Sequence, residues 1–307
     1  MKAVCLQSRG GPEALSCADV SIPEPAEGEV LVAVCAAGVT PAELTWMPTW
    51  TTPSGVPRPF PIIPGHEFSG VIQRLGPGAA NFAVGDAVFG MNDWFRHGAQ
   101  AEYCLARTLD IATKPASIDH GLASLTPISA LTAWQGLFDR AQLAAGERVL
   151  IHGGAGAVGS FAVQLARWRG AHVISTASAH NLDFVRNLGA AEVIDYHTTS
   201  FESATRAIDV VFDTVGGETL ARSWSVLKPS GRLVTIASSG KQTEDPRVRD
   251  AFFIVEPKSA QLVQIARLID DGHLRPILGQ AFPLRDAVQA YQCKPVHGKV
   301  TLQVAFI

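Results

Sequence analysis

The sequence predicts an α/β protein that combines a β-rich domain with a doubly wound parallel sheet covered by helices. The chain of 307 residues is long enough to build two hydrophobic cores. Its first third contains short apolar runs separated by glycine and proline turns. From Ser117 onward, apolar runs of strand length alternate with segments of helical periodicity. That alternation is typical of parallel strands joined by helices.

The short strands of the first third predict a barrel-like domain. Turn residues such as Gly76-Pro77-Gly78 and Gly85-Asp86 separate these strands from one another. The strands are predicted at Lys2–Leu6, Glu29–Ala36, Phe68–Leu75, Ala87–Phe89 and Ala101–Ala106.

The segment Thr45–Pro64 differs from its neighbours because it is rich in prolines and aromatic residues. Proline stiffens a loop without supporting a sheet, and aromatic side chains on a loop are candidates for lining an apolar site. We therefore expect Trp46, Trp50 and Phe60 to bind an apolar substrate. The alternative, that these rings pack onto their own domain, is equally compatible with the sequence.

Two further segments of the first third carry groups capable of chemistry, Ala37–Glu43 and Pro64–Phe68. The pair His66-Glu67 suggests a metal site, since imidazole binds zinc well and a carboxylate can bind it or support the ligand. Catalytic zinc needs three protein ligands, and no suitable cysteine or second histidine stands beside these segments. The sequence therefore favours a structural histidine, and His97 is likewise predicted to be a loop residue.

The alternating part of the chain is predicted to form a six-stranded parallel sheet. Its strands are predicted at Arg148–His152, Ala171–Thr176, Glu192–Asp195, Ile208–Asp213, Gly231–Ala237 and Phe252–Val255. The helices are predicted at Val158–Arg169, Asn181–Leu188, Gly217–Leu227 and Ala260–Asp271. The run Ile208–Asp213 is mostly apolar, as expected of a strand covered on both faces.

A glycine-rich turn joins the first of these strands to its helix. Gly153 precedes a G-x-G-x-x-G pattern, formed by Gly154, Ala155, Gly156, Ala157, Val158 and Gly159. Between a strand and a helix, this pattern predicts a dinucleotide site. The first glycine allows a tight turn, the second lets a pyrophosphate approach the backbone, and the third allows close packing of helix and strand. Free N–H groups at the helix N-terminus then face the anion.

The end of the second parallel strand indicates which dinucleotide binds. An NAD site usually has an acidic residue about 20 residues past the glycine pattern, where it holds the ribose 2′-hydroxyl. Here the turn contains Ser178, His180 and Asn181, and the first acid is Asp183. Hydroxyl, imidazole and amide groups can hydrogen-bond a 2′-phosphate, which a carboxylate would repel. The sequence favours NADPH, although the turn has no arginine or lysine.

Two more turns follow the fourth and fifth predicted strands. They contain Thr214 and Val215 in the first case and Ala237 and Ser238 in the second. Loops at the carboxyl ends of parallel strands line the cofactor crevice in this architecture, so we expect these residues to contact the nicotinamide half. The alternative is that the glycines of these turns only separate strands from helices.

The tail has a short helical pattern at Pro283–Tyr291 and an alternating strand pattern at Lys299–Val304. The parallel sheet has no place for this strand, so we expect it to return to the first domain. The predicted β-rich domain is therefore discontinuous, with residues 1–118 and 275–307. The dinucleotide-binding domain is predicted at residues 119–274, with the cofactor crevice between the two domains.

Composition and charge exclude other classes of partner. The net charge of −3 gives no reason to expect nucleic acid, and no apolar run reaches the about 18 residues that a membrane span needs. Arg9, Glu13 and Asp19 interrupt the N-terminus, so a signal peptide is not expected. The five cysteines are scattered and nowhere form C-x-x-C, which disfavours disulfides and favours a cytoplasmic location.

Motifs in order along nearly the whole chain resemble the medium-chain dehydrogenase/reductase superfamily, and within it the zinc-independent quinone oxidoreductase-like enzymes. The matching segments are Ala37–Glu43, Pro64–Gly70, Gly85–Val88, Leu131–Trp134, Gly146–Gly159, Leu188–Tyr196, Asp209–Gly217 and Gly298–Thr301. The resemblance implies a GroES-like catalytic domain and a Rossmann dinucleotide-binding domain. It also implies NADPH-dependent reduction of a quinone or of the C=C bond of an α,β-unsaturated carbonyl.

Departures from the family pattern refine this expectation. The zinc-dependent relatives are similar but have cysteines where this chain has Thr40 and Ile128, so only His66 remains of their three ligands. The resemblance therefore implies hydride transfer without a metal. Quinone reductases of the family usually have asparagine at the position of Thr40. Similar enoyl reductases use a tyrosine acid near Trp46, where this loop has none.

The resemblance also assigns roles at the cofactor and the substrate. It implies that Tyr196 contacts the 2′-phosphate. It further implies that the nicotinamide is held by Thr132 and by the backbone of Phe253, Ile254 and Val255. The developing enolate needs a donor and then a proton, for which Thr40, His66, a backbone N–H and water are candidates. Two alternatives stay open: a redox sensor that binds NADPH without turnover, and a zinc-dependent alcohol dehydrogenase.

The predicted sixth strand, Phe252–Val255, lies at the edge of the sheet and is short, apolar and uncharged. Such an edge tends to be covered or paired. Relatives commonly dimerise by pairing this strand across a two-fold axis, and the resemblance therefore implies a homodimer.

Overall fold

The computed structural model describes residues 1–237 and 245–304, which form two compact units. The first unit contains Met1–Ile128, Glu256–Gly272 and the chain from Pro276, and the second contains Ser129–Val255 and His273–Arg275. Within the described residues, no helix is both long and apolar enough to cross a membrane.

The first unit is β-rich, as the sequence predicts. Its strands, numbered along the whole chain, are β1 (Lys2–Leu6), β2 (Leu15–Asp19), β3 (Glu29–Val39), β4 (Glu67–Leu75), β5 (Ala87–Met91), β6 (Tyr103–Arg107), β7 (Ile111–Thr113), β13 (Leu278–Pro283) and β14 (Lys299–Gln303). The main sheet has the order β13-β14-β3-β4-β5-β7, and β6 also pairs with β3. Strand β14, in the tail of the chain, pairs antiparallel with β3 of this unit.

Short helices complete the first unit. They are α1 (Met47–Trp50), α2 (His120–Ser124), α9 (Ser259–Asp270) and α10 (Ala287–Gln292). Helix α9 was predicted within the dinucleotide-binding domain, but it clusters with the first unit. The reason lies at its C-terminal end, where the Asp270 carboxylate accepts hydrogen bonds from the backbone N–H groups of Ala116 and Ser117 at 3.2 and 2.9 Å.

The second unit is built on a parallel sheet. Its strands are β8 (Arg148–His152), β9 (His172–Ala177), β10 (Glu192–Asp195), β11 (Ile208–Asp213) and β12 (Leu227–Thr235). The sheet order is β10-β9-β8-β11-β12, and every pairing is parallel. The strand that carries the glycine pattern therefore lies in the middle, as in doubly wound nucleotide folds.

Helices separate the strands of the second unit. They are α3 (Pro127–Trp134, continued by a π-helical segment Gln135–Arg140), α4 (Ala157–Trp168), α5 (Leu182–Leu188), α6 (Phe201–Ala204), α7 (Gly217–Ser223) and α8 (Pro246–Ala251). Helix α5 ends at Gly189, whose φ of 116° is available to glycine at little cost. The core under this sheet includes Leu150, Ile174 and Val211.

The predicted sixth strand is not formed as a strand. Phe252 makes only an isolated parallel bridge to Thr235, and the Phe253 N–H donates to the Thr235 carbonyl at 3.3 Å. Helix α8 ends immediately before this segment, and Pro257, which has no N–H to donate, follows it. Phe253 and Val255 are nevertheless buried, so burial rather than sheet pairing accounts for the apolar run.

Candidate active site

The glycine turn after β8 has the geometry that its sequence pattern predicts. A Cβ on Gly154 would lie 2.1 Å from Ser175 Oγ, and a Cβ on Gly159 would lie 2.1 Å from the carbonyl oxygen of Gly153. A Cβ on Gly156 would meet only that same carbonyl, at 3.3 Å. The outer glycines are thus required for packing. The middle glycine leaves the backbone open to a ligand.

Helix α4 begins directly after this open glycine. Gly156 is its N-cap residue and offers no side-chain hydrogen bond to the first turn, which contains Ala157 and Val158. The helix has 12 residues, and free N–H groups at its N-terminus favour a negatively charged group. The residues from Gly153 to Gly159 therefore fit the pyrophosphate of a dinucleotide.

Two alanine substitutions separate packing from ligand access in this turn. Gly159→Ala is expected to lower the free energy of unfolding by about 2 kcal/mol, because its Cβ overlaps backbone atoms. Gly156→Ala is expected to unfold like the parent protein but to bind NADPH at least about 10-fold more weakly, because the methyl group stands where the pyrophosphate approaches. Urea unfolding and fluorescence titration with NADPH measure the two effects. Equal NADPH affinity of Gly156→Ala and the parent would contradict the assignment.

Polar groups gather at the carboxyl ends of β9 and β10. Ser178 Oγ lies 3.3 Å from His180 Nε2 and accepts a hydrogen bond from the Asn181 amide at 3.2 Å. The Tyr196 N–H donates to the Ala177 carbonyl at 3.2 Å, so Tyr196 follows the neighbouring strand end with an exposed side chain. These four predicted cofactor residues therefore lie along one end of the sheet.

One residue near this strand end was missed in the sequence. The ring of His197 lies 4.4 Å from that of Tyr196, centroid to centroid. Asp183, the first acid after the turn, forms an ion pair with Arg186 at 2.8 Å. The sequence contained a signal for His197, because this histidine directly follows Tyr196, which the resemblance already implied in phosphate binding.

The other predicted cofactor residues belong to the same unit. Thr214 follows β11 and donates from Oγ1 to the His152 carbonyl at 2.7 Å, and Val215 beside it is exposed. Ala237 follows β12 and donates its N–H to Thr235 Oγ1 at 3.1 Å. Thr132 is buried in α3. Ser238 lies outside the described residues.

Ile254 differs from its neighbours in exposure. Its side chain is 44% exposed, whereas Phe253 and Val255 are buried. The extended segment 252–255 therefore buries the alternate side chains of Phe253 and Val255. Its backbone lies beside the end of β12, because Phe252 forms a bridge with Thr235.

His152, at the end of β8, is a buried histidine with no predicted role. Its ring nitrogens lie 3.2 Å from Thr176 Oγ1 and 3.0 Å from Ser223 Oγ. Burial lowers the pKa of His152 to about 4, against the opposing effects of Asp213 and Glu202. The imidazole is therefore neutral in the folded protein and serves the packing of the strand end.

This histidine makes stability depend on pH. The unfolded chain binds a proton at His152 near pH 6.5, whereas the folded protein does so only near pH 4. The free energy of unfolding is therefore expected to fall by about 3 kcal/mol as the pH drops through this window. His152→Gln should flatten that part of a urea-unfolding pH profile, and His172→Gln, at a half-exposed histidine on β9, should leave it intact. A profile unchanged by His152→Gln would contradict this prediction.

The first unit contains a buried polar cluster formed by Glu43, His66, Gln100 and Tyr291. One carboxylate oxygen of Glu43 accepts from the Tyr291 hydroxyl at 2.7 Å and from the Gly65 N–H at 2.5 Å. The other oxygen lies 3.2 Å from His66 Nδ1. The Gln100 side chain lies 3.2 Å from the Tyr291 hydroxyl. Of these residues only His66 and, by resemblance, Glu43 were singled out from the sequence.

Both ring nitrogens of His66 are engaged. Nδ1 meets the Glu43 carboxylate, and Nε2 meets the carbonyl oxygen of Arg96 at 3.2 Å. Both partners are oxygen atoms that accept hydrogen bonds, so each ring nitrogen of His66 faces an acceptor. Burial raises the pKa of Glu43. The hydrogen bond and charge of His66, together with the hydrogen bonds from Tyr291 and Gly65, lower it by more than burial raises it, so the net shift of this pKa is downward. The structure thus gives His66 a role in holding the cluster.

Thr40 stands at the end of β3 in a different state. Its hydroxyl oxygen is buried and has no hydrogen-bond partner among the described residues. A buried hydroxyl without a partner is costly, and such groups are frequent at sites that take a ligand. Of the two predicted catalytic residues, Thr40 is the one with a free group.

A second buried pair lies beside the cluster. Glu67 is fully buried at the start of β4, forms an ion pair with Lys299 of β14 and accepts the Ile128 N–H at 3.0 Å. Burial raises the pKa of Glu67, and Lys299 only partly offsets this. A Cβ on Gly38 would lie 2.3 Å from the Glu67 carboxylate, so the pair has no spare room.

The donor atoms here do not fit a zinc ion. His66 has no free ring nitrogen, Thr40 and Ile128 offer no thiolate, and Glu67 is committed to Lys299. In the described ranges, no group of three or more His, Cys, Asp or Glu side chains is placed to hold a metal.

The aromatic residues predicted to bind substrate differ in burial, although the rings of Trp50 and Phe60 lie 6.5 Å apart, centroid to centroid. Trp50 is buried and belongs to the hydrophobic core of the first unit, with Nε1 donating to the Leu44 carbonyl at 3.1 Å. Trp46 packs edge-on against Trp94 at 4.9 Å, and Phe60 is 46% exposed. Trp94 in turn lies 5.1 Å from the His66 ring. Trp46 is therefore connected to His66 through Trp94. Trp50 packs in the core of its own unit, which is the alternative that the sequence left open.

Two family profiles match the chain. Residues 26–116 match the alcohol dehydrogenase GroES-like domain, and residues 188–294 match zinc-binding dehydrogenase. A protein of Arthroderma benhamiae, "Probable zinc-binding oxidoreductase, mitochondrial", is 33% identical over 91% of this chain and 89% of its own length. Human quinone oxidoreductase is 30% identical over 97% of this chain and 94% of its own length.

Solved structures agree with these relatives. A quinone oxidoreductase from Coxiella burnetii superposes with a TM-score of 0.89 at 29% identity and covers 99% of both chains. A mycobacterial protein solved in complex with NADPH has a TM-score of 0.82 at 26% identity, covering 99% of this chain and all of its own. Since the sequence relatives align over nearly the whole length and the fold matches, this chain belongs to the medium-chain dehydrogenase/reductase superfamily, among its quinone oxidoreductase-like oxidoreductases.

Proposed function

We propose that this protein transfers a hydride from NADPH to a quinone or to the C=C bond of an α,β-unsaturated carbonyl. The proposal depends above all on one observation in the first unit. Thr40 replaces a zinc ligand of the zinc-dependent relatives with a buried, unpartnered hydroxyl, and His66 is committed to Glu43 and Arg96. Reduction of an activated double bond needs no metal to polarise an alcohol.

The cofactor is held by the second unit in this proposal. Gly153–Gly159 bind the pyrophosphate, and Ser178, His180, Asn181 and Tyr196 bind the 2′-phosphate. Thr132, Thr214, Val215, Ala237 and the backbone of 253–255 hold the nicotinamide, which supplies the hydride when bound. The NADPH complex of a protein with the same fold supports this choice of cofactor.

The Thr40 hydroxyl donates a hydrogen bond to the carbonyl oxygen of the substrate. As the double bond is reduced, negative charge develops on that oxygen, and a positioned donor stabilises it. His66 contributes by holding Glu43 and the Arg96 backbone in place. Thr40→Val removes the hydroxyl and keeps a similar side-chain volume. If Thr40 has this role, the variant is expected to have a lower kcat and nearly the same affinity for NADPH.

The function is tested by NADPH oxidation against a panel of quinones, 2-alkenals and enones. The expected result is turnover with several of these acceptors that persists after treatment with a chelator, in protein containing less than stoichiometric zinc. Tight NADPH binding without oxidation of any acceptor would favour the redox sensor instead. Loss of activity with chelator would favour the zinc alcohol dehydrogenase.

Cofactor preference is tested at the end of β9. Ser178→Asp places a carboxylate where NAD enzymes have one, and it is expected to lower kcat/KM for NADPH at least about 10-fold relative to NADH. Ser178→Ala is the control, because it removes the hydroxyl without adding charge. An unchanged ratio in Ser178→Asp would contradict binding of the 2′-phosphate at this strand end.

We also propose a homodimer formed through the segment 252–255, in a cytoplasmic location. The exposed side chain of Ile254 beside the edge strand β12 supports the interface. Sedimentation velocity at micromolar concentration is expected to give twice the mass of the chain, and Ile254→Glu is expected to give monomers. A monomeric parent protein would overturn this proposal.

A further inference from the structure

Arg58 is a buried cation without a counter-ion. The residue is 8% exposed and lies in the proline-rich segment after α1. Its Nη1 donates to the Pro48 carbonyl at 3.2 Å. Within residues 1–237 and 245–304, Arg58 forms no ion pair. Burial lowers the pKa of Arg58, and no carboxylate opposes this effect.

Other arginines of this protein show what is missing. Arg96 pairs with Glu29, Arg107 with Asp110 and Arg232 with Glu147, although all three are more exposed than Arg58. A guanidinium stays protonated and has five N–H donors. A buried charge is costly unless an opposite charge and hydrogen-bond acceptors accompany it. Arg58 has one neutral acceptor in the described structure.

The surroundings of Arg58 place it near the candidate substrate groups of the first unit. The backbone N–H of Arg58 donates to the Trp50 carbonyl at 2.9 Å. The charges of Arg58 and His66 both lower the pKa of His97, which burial has already lowered, so all three basic groups are close. Trp46, which directly precedes α1, packs against Trp94, and Trp94 packs against the His66 ring. The Arg58 guanidinium is therefore bound at Pro48, next to Thr49, whose hydroxyl donates to the backbone carbonyl of Glu43 in the buried cluster at 2.5 Å.

We propose that Arg58 binds a carboxylate of the substrate, so that the acceptors of this protein are enones carrying an acidic group. The planar fork of a guanidinium matches the two oxygens of a carboxylate, which supplies the missing counter-charge. This inference rests on the proposed function, because it names the class of compound that the hydride reaches. A neutral quinone or alkenal would leave the buried charge of Arg58 unpaired and would be a poorer substrate.

The test uses (E)-4-oxopent-2-enoate and its amide, which has the same shape without the charge. In the reaction, the hydride of NADPH and a proton from solvent add across the C=C bond, which gives 4-oxopentanoate and NADP⁺. The parent protein is expected to show a kcat/KM about 10- to 100-fold higher for the carboxylate than for the amide. Arg58→Met is expected to bring this ratio close to one, and Arg58→Lys to retain part of it.

Controls separate recognition from folding and from the proposed function. Arg285→Met, at an exposed arginine of the same unit, should keep the parent ratio. Equal kcat/KM for the two compounds in the parent, or an unchanged ratio in a folded Arg58→Met, would overturn the inference and leave the reductase function standing. If neither compound is reduced, calorimetric titration with 4-oxopentanoate decides. Binding that is lost in Arg58→Met supports the carboxylate site, with or without partial binding in Arg58→Lys, and binding in Arg58→Met equal to that of the parent overturns it.

Discussion

Replacing Lys299 with methionine is expected to lower the free energy of unfolding by about 3–5 kcal/mol at neutral pH. Lys299 is the cation paired with the fully buried carboxylate of Glu67. Burial already raises the pKa of Glu67 in the presence of Lys299, so without it the carboxylate must either take up a proton or remain buried and unpaired. Urea unfolding at pH 7, followed by tryptophan fluorescence and circular dichroism, measures the loss.

The double variant Glu67→Gln/Lys299→Met is the matched control. Its amide keeps an acceptor for the Ile128 N–H while removing both charges, so it is expected to regain most of the stability lost in Lys299→Met. The deficit of the single variant should also shrink as the pH falls toward 5, because protonation of Glu67 removes the unpaired charge. A deficit below about 1 kcal/mol, typical of a surface pair, would show that this pair is not a buried one in solution.

The strands covered on both faces were the most predictable part of the fold. The bounds of β8 and β11, which are almost entirely buried, agree with the prediction, because their apolar runs end at the polar residues His152 and Asp213. Strand β13 was missed since Leu278–Pro283 is largely exposed, contains Gly279 and ends in proline. The local pattern also predicted a strand at Phe252–Val255, which was wrong. A buried segment has the same apolar run whether or not its backbone pairs with a neighbouring strand.

The glycine turn of the second unit and the buried cluster of the first unit differed in how far they could be predicted. The glycine turn is local, and its pattern states its own backbone requirements, which the structure reproduces at Gly154 and Gly159. The buried cluster of the first unit is not local. Tyr291 is 248 residues from Glu43 and Lys299 is 232 from Glu67, so no spacing rule connects them. The pairing of β14 with β3 brings this part of the tail into the first unit.

The functional conclusion depends on what this cluster excludes as much as on what it contains. From the sequence, His66 was compatible with a metal ligand, a proton donor or a structural residue. The structure distinguishes these possibilities because the acceptors around His66 use both ring nitrogens. In the proposed function Thr40 is the group that donates to the substrate, and this choice depends on knowing the partners of His66.

Glu43→Ala is expected to lower the free energy of unfolding by about 3–5 kcal/mol, because one carboxylate satisfies three buried donors. The variant leaves the Tyr291 hydroxyl, the Gly65 N–H and His66 Nδ1 without their acceptor. The pKa of Glu43 is lowered in the folded protein, so its contribution is present above about pH 4.5 and is lost as the pH falls through the folded-state value. Urea unfolding at pH 7 and at pH 4 measures both effects.

Tyr291→Phe and Glu43→Gln separate the contributions of hydrogen bonding and of charge to the stability that Glu43→Ala loses. Tyr291→Phe removes one donor and its hydrogen bond, so it is expected to cost only about 1–2 kcal/mol. Glu43→Gln keeps an acceptor for Tyr291 and Gly65 but loses the charge opposite His66, and its stability should lie between those of Glu43→Ala and the parent. If Glu43→Gln were as stable as the parent at pH 7, the charge on Glu43 would not contribute. His66 would then be held by its hydrogen bonds alone, without a contribution from the charge of Glu43.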